Sequence, residues 1–188
     1  MKKYLGIVLA LALLAGMPAI LADEEPEVDK KQARRAAIDE MASDALTDLV
    51  SESERARRLY DEAVGFAVFD NFKFTFILSG SGGVGVAVDK ASGQSTYMKM
   101  GSGGVGLGLG GHSYQVVFLF EDRGRFERFV NKGWQADLSA NAAAGTAGKN
   151  APATFTDGVA VFQMTNKGLV AQADISGTKY WKNKKLNR

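Results

Sequence analysis

The sequence has no cysteine, one histidine and three prolines in 188 residues. Without cysteine there are no disulfides, thiolate zinc sites, iron–sulfur clusters or cysteine nucleophiles. One imidazole, His112, leaves no multi-histidine metal site and at most one ring for acid–base work. A GK[ST] phosphate loop and a G-x-S-x-G nucleophile elbow are also missing. His112 lies between Gly111 and Ser113 and reads as a strand-start or surface residue. A hydrolase reading would need it to serve a serine that no motif marks. Glu121 and Asp122 are sequence neighbours and fit a helix start better than an acid–base pair. No enzyme activity, catalytic set, metal or cofactor is expected. Disorder is excluded as well, because 46% of the chain is hydrophobic. The length suits one domain with a real core.

Long hydrophobic runs are scarce. The one that stands out, Tyr4 to Ala15, has 12 residues, against about 20 for a bilayer-spanning helix. Lys2 and Lys3 precede it, and Pro18 and Ala22 follow. This is the pattern of a secretory signal peptide over 1–22, cleaved near Ala22, with an uncleaved anchor as the alternative. A periplasmic or secreted location follows as the expectation. The formal charge of +2 then belongs to the leader, since losing Lys2 and Lys3 leaves 21 basic and 21 acidic side chains. A broad field for nucleic acid is not supported. The remaining charge is uneven. Residues 179–188 carry Lys179, Lys182, Lys184, Lys185 and Arg188 with no acid, while 23–28 is acidic and expected to be disordered. The division expected is a signal peptide (1–22), an acidic segment (23–28), a single domain (29–181) and a basic tail (182–188).

Within the domain, Ala33, Ala36, Ala37, Met41, Leu46, Leu49 and Val50 predict an amphipathic helix over about 29–50. Ser51-x-x-Glu54 has the form of a capping box and predicts a second helix over about 52–63, stopped by Gly65. Ala56, Leu59, Tyr60 and Ala63 share one side of it, and Arg55, Arg57 and Arg58 lie near its start. Period-two patterning follows: GFAVFD, then Phe72, Phe74 and Phe76 on one strand face. Lys90 to Gly93 is a turn signal, with a strand at 95–100, and Val116 to Phe120 reads as a buried strand. Asp122 caps a short helix with Phe126, Phe129 and Val130 inward and Gly133 as its stop. Small-residue strands through Ala136, Leu138 and Ala140, a loop over 145–152, and strands near 155–164 and 168–176 complete the chain. Helices followed mainly by strands predict an α+β fold, with N-terminal helices packed on a glycine-rich, mainly antiparallel sheet or barrel-like core.

Of the 22 glycines, 12 lie between Gly80 and Gly111. Ser81-Gly-Gly-Val-Gly-Val86 and Ser102-Gly-Gly-Val-Gly-Leu107 nearly repeat at an offset of 21 residues. Glycine alternating with Val or Leu predicts strands with one bare face, open to close approach or to sharp coiling of the sheet. The formal G-x-G-x-x-G matches lack the following helix that a dinucleotide site needs. In the tail, Tyr180 and Trp181 beside five cations make an interface-seeking combination.

Five blocks in order carry a family resemblance: EAVGFAVFDNFKF (62–74), SGSGGVGVAV (79–88), GSGGVGLGLGGHSYQVVFLF (101–120), 134–148 ending AAAGTAG, and KGLVAQADISGTKY (167–180). Together they resemble the SYLF lipid-binding domain family over about two-thirds of the chain, Tyr60 to Trp181. Asp70 stands where that family often has Pro, and Thr96-Tyr97-Met98 replaces a Trp-Pro element. The resemblance implies phospholipid binding without catalysis, and in eukaryotic members actin regulation. Actin is not expected of an exported protein. The reading is a lipid- or membrane-surface-binding envelope protein, with Lys179, Trp181, Lys182, Lys184 and Lys185 as contacts. The alternative is a structural or protein-interaction module without a lipid ligand.

Overall fold

A computed structural model of the chain describes residues 27–75, 78–105, 110–135, 154–165, 168–170 and 177–188. The expected signal segment, Ala136, Leu138, Ala140, the 145–152 loop and residues 171–176 lie outside the described residues.

The first helix, α1 (Glu27–Glu52), starts with Glu27 and Asp29 at its positive end. It therefore begins inside the stretch expected to be disordered. Its buried stripe is Ile38, Ala42, Ala45 and Leu49, at helical spacings of three and four. The expected inner residues Ala33, Ala36 and Ala37 are exposed instead. Alanine is small and helix-favouring on either face, so it marks the helix without marking its inner side.

The second helix, α2 (Glu54–Glu62), is capped by Ser53, whose Oγ accepts from the Ala56 N–H at 3.2 Å. The expected cap, Ser51, lies within the last turn of α1 and donates to the Asp48 carbonyl. Only Ser53 leaves the helical region, with φ −145° and ψ 108°, so only its side chain can cap. The helix ends at Ala63, and Gly65 already belongs to the first strand. A Cβ there would lie 2.7 Å from the Phe126 ring.

The strands are β1 (Gly65–Thr75), β2 (Leu78–Asp89), β3 (Ser95–Val105), β4 (Gly110–Phe120), β5 (Trp134–Gln135), β6 (Val159–Thr165), β7 (Gly168–Val170) and β8 (Thr178–Lys182). All their ladders are antiparallel, in the order β5-β8-β3-β2-β1-β4-β6-β7. The expected GFAVFD strand and the aromatic strand after it are one continuous β1. Helix α3 (Arg123–Lys132) follows β4, with Asp122 Oδ1 accepting from the Arg125 N–H at 2.8 Å and Gly133 ending it at φ +74°. The α+β reading is thus correct, and among the described residues the sheet does not close into a barrel.

Its curvature is nevertheless strong. From β4 to β8 is four strand spacings, or about 19 Å across a flat sheet, yet the Phe118 and Tyr180 rings are 5.0 Å apart. The sheet is therefore a trough. Its concave face holds Phe69, Phe118, Phe120, Phe126, Phe129, Trp134 and Tyr180 in mutual ring contact, with α3 contributing Phe126 and Phe129. Helices α1 and α2 cover part of the convex face through Phe66, Val68, Val86, Tyr97, Val117 and Leu119.

The glycine alternation explains how the trough bends. In β2, Val84, Val86 and Val88 join the convex cluster, while Gly83 and Gly85 face inward. A Cβ on Gly85 would lie 2.1 Å from the Val68 carbonyl and 2.6 Å from the Phe69 ring, and one on Gly83 2.4 Å from Asn71 Oδ1. The bare face is filled by its neighbours. The first residues of the two sequence repeats, Ser81 and Ser102, pair in the β2–β3 hairpin, and their hydroxyl oxygens are 2.7 Å apart.

Candidate functional site

The basic C-terminal segment is built into the fold. Residues 178–182 form β8, which pairs with β3 on one side and β5 on the other. Strand alternation turns Tyr180 into the trough, where it is 2% exposed. The same alternation puts Lys179 and Trp181 on the convex face, and both are exposed. Lys182 is exposed and follows the parity of the concave side, while Lys184 and Lys185 are exposed in the turn after β8. The expected contact residues therefore split into a convex pair, an inward-parity lysine and a turn pair.

That turn is held firmly. Leu186 is buried at 4% exposure. The Asn183 N–H donates to the Tyr97 carbonyl at 2.9 Å, and Asn187 Nδ2 donates to the same oxygen at 2.7 Å. Arg35 Nε donates to the Leu186 carbonyl at 2.8 Å, and Lys31 Nζ to the Arg188 carbonyl at 2.9 Å. The Tyr97 hydroxyl donates to Asp39 Oδ2 at 2.8 Å, and the Arg35 guanidinium lies over its ring at 5.4 Å. Burial, aided by Asp39, pushes the Tyr97 hydroxyl up to about 12. Residues 182–188 thus clasp α1 to β3.

The convex face beside Trp181 has features that composition alone did not single out. Lys99 pairs with Trp181 across the β3–β8 ladder, and Gly101 pairs with Lys179. One edge of the Trp181 ring would lie 3.2 Å from a Cβ on Gly101. Gly82 pairs with Gly101 on one side and with Phe72 on the other. Cβ atoms on Gly82 and Gly103 would meet nothing within 4 Å. Phe72 is 53% exposed and Trp181 44%, and with Val28 they are the exposed large apolar side chains among the described residues. Asp70 shares the Phe72 face, and partial burial raises its carboxyl above the ordinary range, with the Asn71 backbone amide opposing that shift.

Two further regions carry the α2 arginines and His112. Arg55 and Arg58 line an open cleft of about 420 Å³ with Leu59, Glu62, Glu121, Thr154 and Phe155. Arg57 donates to the Val50 carbonyl at 2.9 Å, at the end of α1. The cleft is lined by charges of both signs, which gives it no preference for an anion. His112 is exposed on the concave side next to Tyr114, with ring centroids 5.9 Å apart. Among the described residues, no three His, Asp or Glu side chains gather as a metal-ligand set. No helix there is long and apolar enough to cross a membrane.

Comparison with known proteins bears on the same segment. A family model described as "Ysc84: Las17-binding protein actin regulator" matches residues 101–188, which include the end of β3 and all of β4, α3 and β8. The match spans a little under half of the chain and shows this segment to be similar to that family. The chain is also 45% identical over 152 residues to Beta cell expansion factor A of Aeromonas veronii. That match covers 81% of this chain and 58% of the relative, so the chain spans little more than half of that protein's length. The SYLF resemblance seen in the sequence is thereby supported, and it is linked in general to lipid binding.

Proposed function

We propose that the protein is a non-enzymatic phospholipid-binding protein that acts, after export, at an anionic membrane surface of the cell envelope. One observation carries this reading. A rigid internal strand of the SYLF segment holds Lys179 and Trp181 exposed on one face, with Lys99 directly opposite Trp181. Lysine supplies attraction to anionic headgroups, about 1 kcal/mol per residue near the surface. The indole supplies an amphipathic ring suited to the headgroup boundary. Lys184 and Lys185 add charge from the adjoining turn.

Deleting residues 179–188 would remove β8 and could not separate lipid contact from folding. Point substitutions do separate them. Lys179→Glu with Lys184→Glu and Lys185→Glu, and separately Trp181→Ala, should each reduce flotation with phosphatidylglycerol vesicles at low salt. Wild-type flotation should fall as salt rises. No flotation at low salt overturns the proposal.

The second reading is a protein-interaction module without a lipid ligand. What favours it is that Gly83 and Gly85 are fully used in internal packing. It predicts concentration-dependent self-association or a protein partner, with no response to vesicles.

A further inference from the structure

Phe72 and Trp181 lie on the same convex face, on strands separated by β2 and β3. Their strands lie three spacings apart, about 14 Å across a flat sheet. Phe72 shares a row with Gly82, Gly101 and Lys179, Trp181 lies one row over opposite Lys99 and Val84, and Gly80 and Gly103 pair in the row on the other side. At Gly82 and Gly103 the space above the sheet is open. Helices α1 and α2 pack on the other half of this face, against Phe66, Val68, Val86 and Tyr97. A strand with so many glycines loses stability relative to alanine, by up to about 1 kcal/mol per residue. The inward glycines recover this through packing, because their Cβ positions are occupied. Gly82 and Gly103 do not, and the side chains that flank them are large, apolar and exposed.

We propose that this glycine floor and its two flanking aromatics form one membrane-contact face, with Phe72 as a second interfacial anchor alongside Trp181. The inference rests on the lipid-surface reading and extends it to a residue on the far side of the sheet. The occupant is an anionic bilayer surface. Lys99 and Lys179 flank the Trp181 end of the floor, and the acid on this face of β1 is Asp70, whose raised pKa makes it easier to neutralise near an anionic surface. Two anchors on separate strands fix the orientation of the molecule on the surface, which a single strand cannot do. At Gly82 and Gly103 no side chain stands up to hold the headgroups away.

The test uses the full chain with vesicles of phosphatidylglycerol and phosphatidylcholine in equal parts, and with pure phosphatidylcholine. Phe72→Ala should lower the partition coefficient on the anionic vesicles roughly fivefold to tenfold, as expected for losing the exposed half of a phenyl ring to the membrane. Gly82→Glu and Gly103→Glu should lower it similarly. Their side chains have room, so loss of fold does not account for the result. Val28→Ala, at the exposed apolar residue on α1 and outside the sheet, should leave binding unchanged. With Trp181→Phe as background, Phe72→Trp should be quenched by brominated acyl chains. If wild type floats while Phe72→Ala, Gly82→Glu and Gly103→Glu float equally well, the inference falls and the lipid reading stands on β8 alone. If wild type does not float, both fall. If Phe72→Ala abolishes self-association and leaves vesicle binding intact, the face is a contact between copies and the inference falls.

Discussion

At the level of single residues, the trough holds two buried side-chain polar atoms without a hydrogen-bond partner among the described residues, Asn71 Oδ1 and the Tyr180 hydroxyl. Tyr180 is held by its ring, which stacks on Trp134 and meets Phe69 and Phe118 edge-on. Burial, and to a lesser extent Tyr114, pushes its hydroxyl well above the ordinary tyrosine range. Tyr180→Phe keeps every ring contact and removes an unpaired polar atom. Thermal unfolding should show it unchanged or more stable by up to about 1 kcal/mol. Asp70 gives a pH-dependent counterpart. Its folded pKa is raised, so its contribution is fully present below the unfolded value of about 3.9 and is lost as pH rises through the folded value. Asp70→Asn should therefore raise Tm at pH 7 and leave it unchanged at pH 3. Asp89 has the opposite sign. The Arg123 guanidinium, with Nη2 at 3.1 Å from Oδ1, holds its carboxyl far below the usual range. Its contribution is present above the unfolded value of about 3.9 and is lost only in strong acid. In Arg123→Gln the Asp89 carboxyl should titrate at clearly higher pH than in the wild type, as NMR would show.

At the level of elements, the two kinds of glycine in one hairpin give a direct comparison. Gly85→Ala forces a Cβ against the Val68 carbonyl and the Phe69 ring and should cost about 2–3 kcal/mol in denaturant unfolding. Gly82→Ala meets nothing and should be neutral or stabilising by up to about 1 kcal/mol. Sequence alternation showed that β2 has a bare face, but it could not show which glycines are covered, because that depends on the strand folded alongside. The α3 cap, its inward residues and its glycine stop were all readable, since each is a local signal. The α2 cap was not, because Ser51 and Ser53 differ only in where α1 ends, and packing decides that. Lys179 and Trp181 were visible as a composition of charge and aromatics. Phe72 was visible as a strand aromatic, but the register linking it through Gly82 and Gly101 to β8 comes from ladders between distant segments.

For the whole molecule, the clasp between the C-terminal turn and α1 joins the two ends of the described chain. Removing residues 183–188 should lower Tm and speed amide exchange in α1 around Ile38, while the aromatic trough keeps its protection. Exchange measured across the chain would distinguish that from general unfolding. The position of β8 has a separate consequence, for the timing of folding. Tyr180 pairs with Met100, 80 residues earlier in the chain, so β3 lacks its outer neighbour and the trough lacks Tyr180 until that distant segment docks. Such a pairing is slow to form. Until it is made, β3 presents an unpaired edge and the aromatic trough stays incomplete, which leaves the folding chain exposed to proteolysis and to mispairing with other chains.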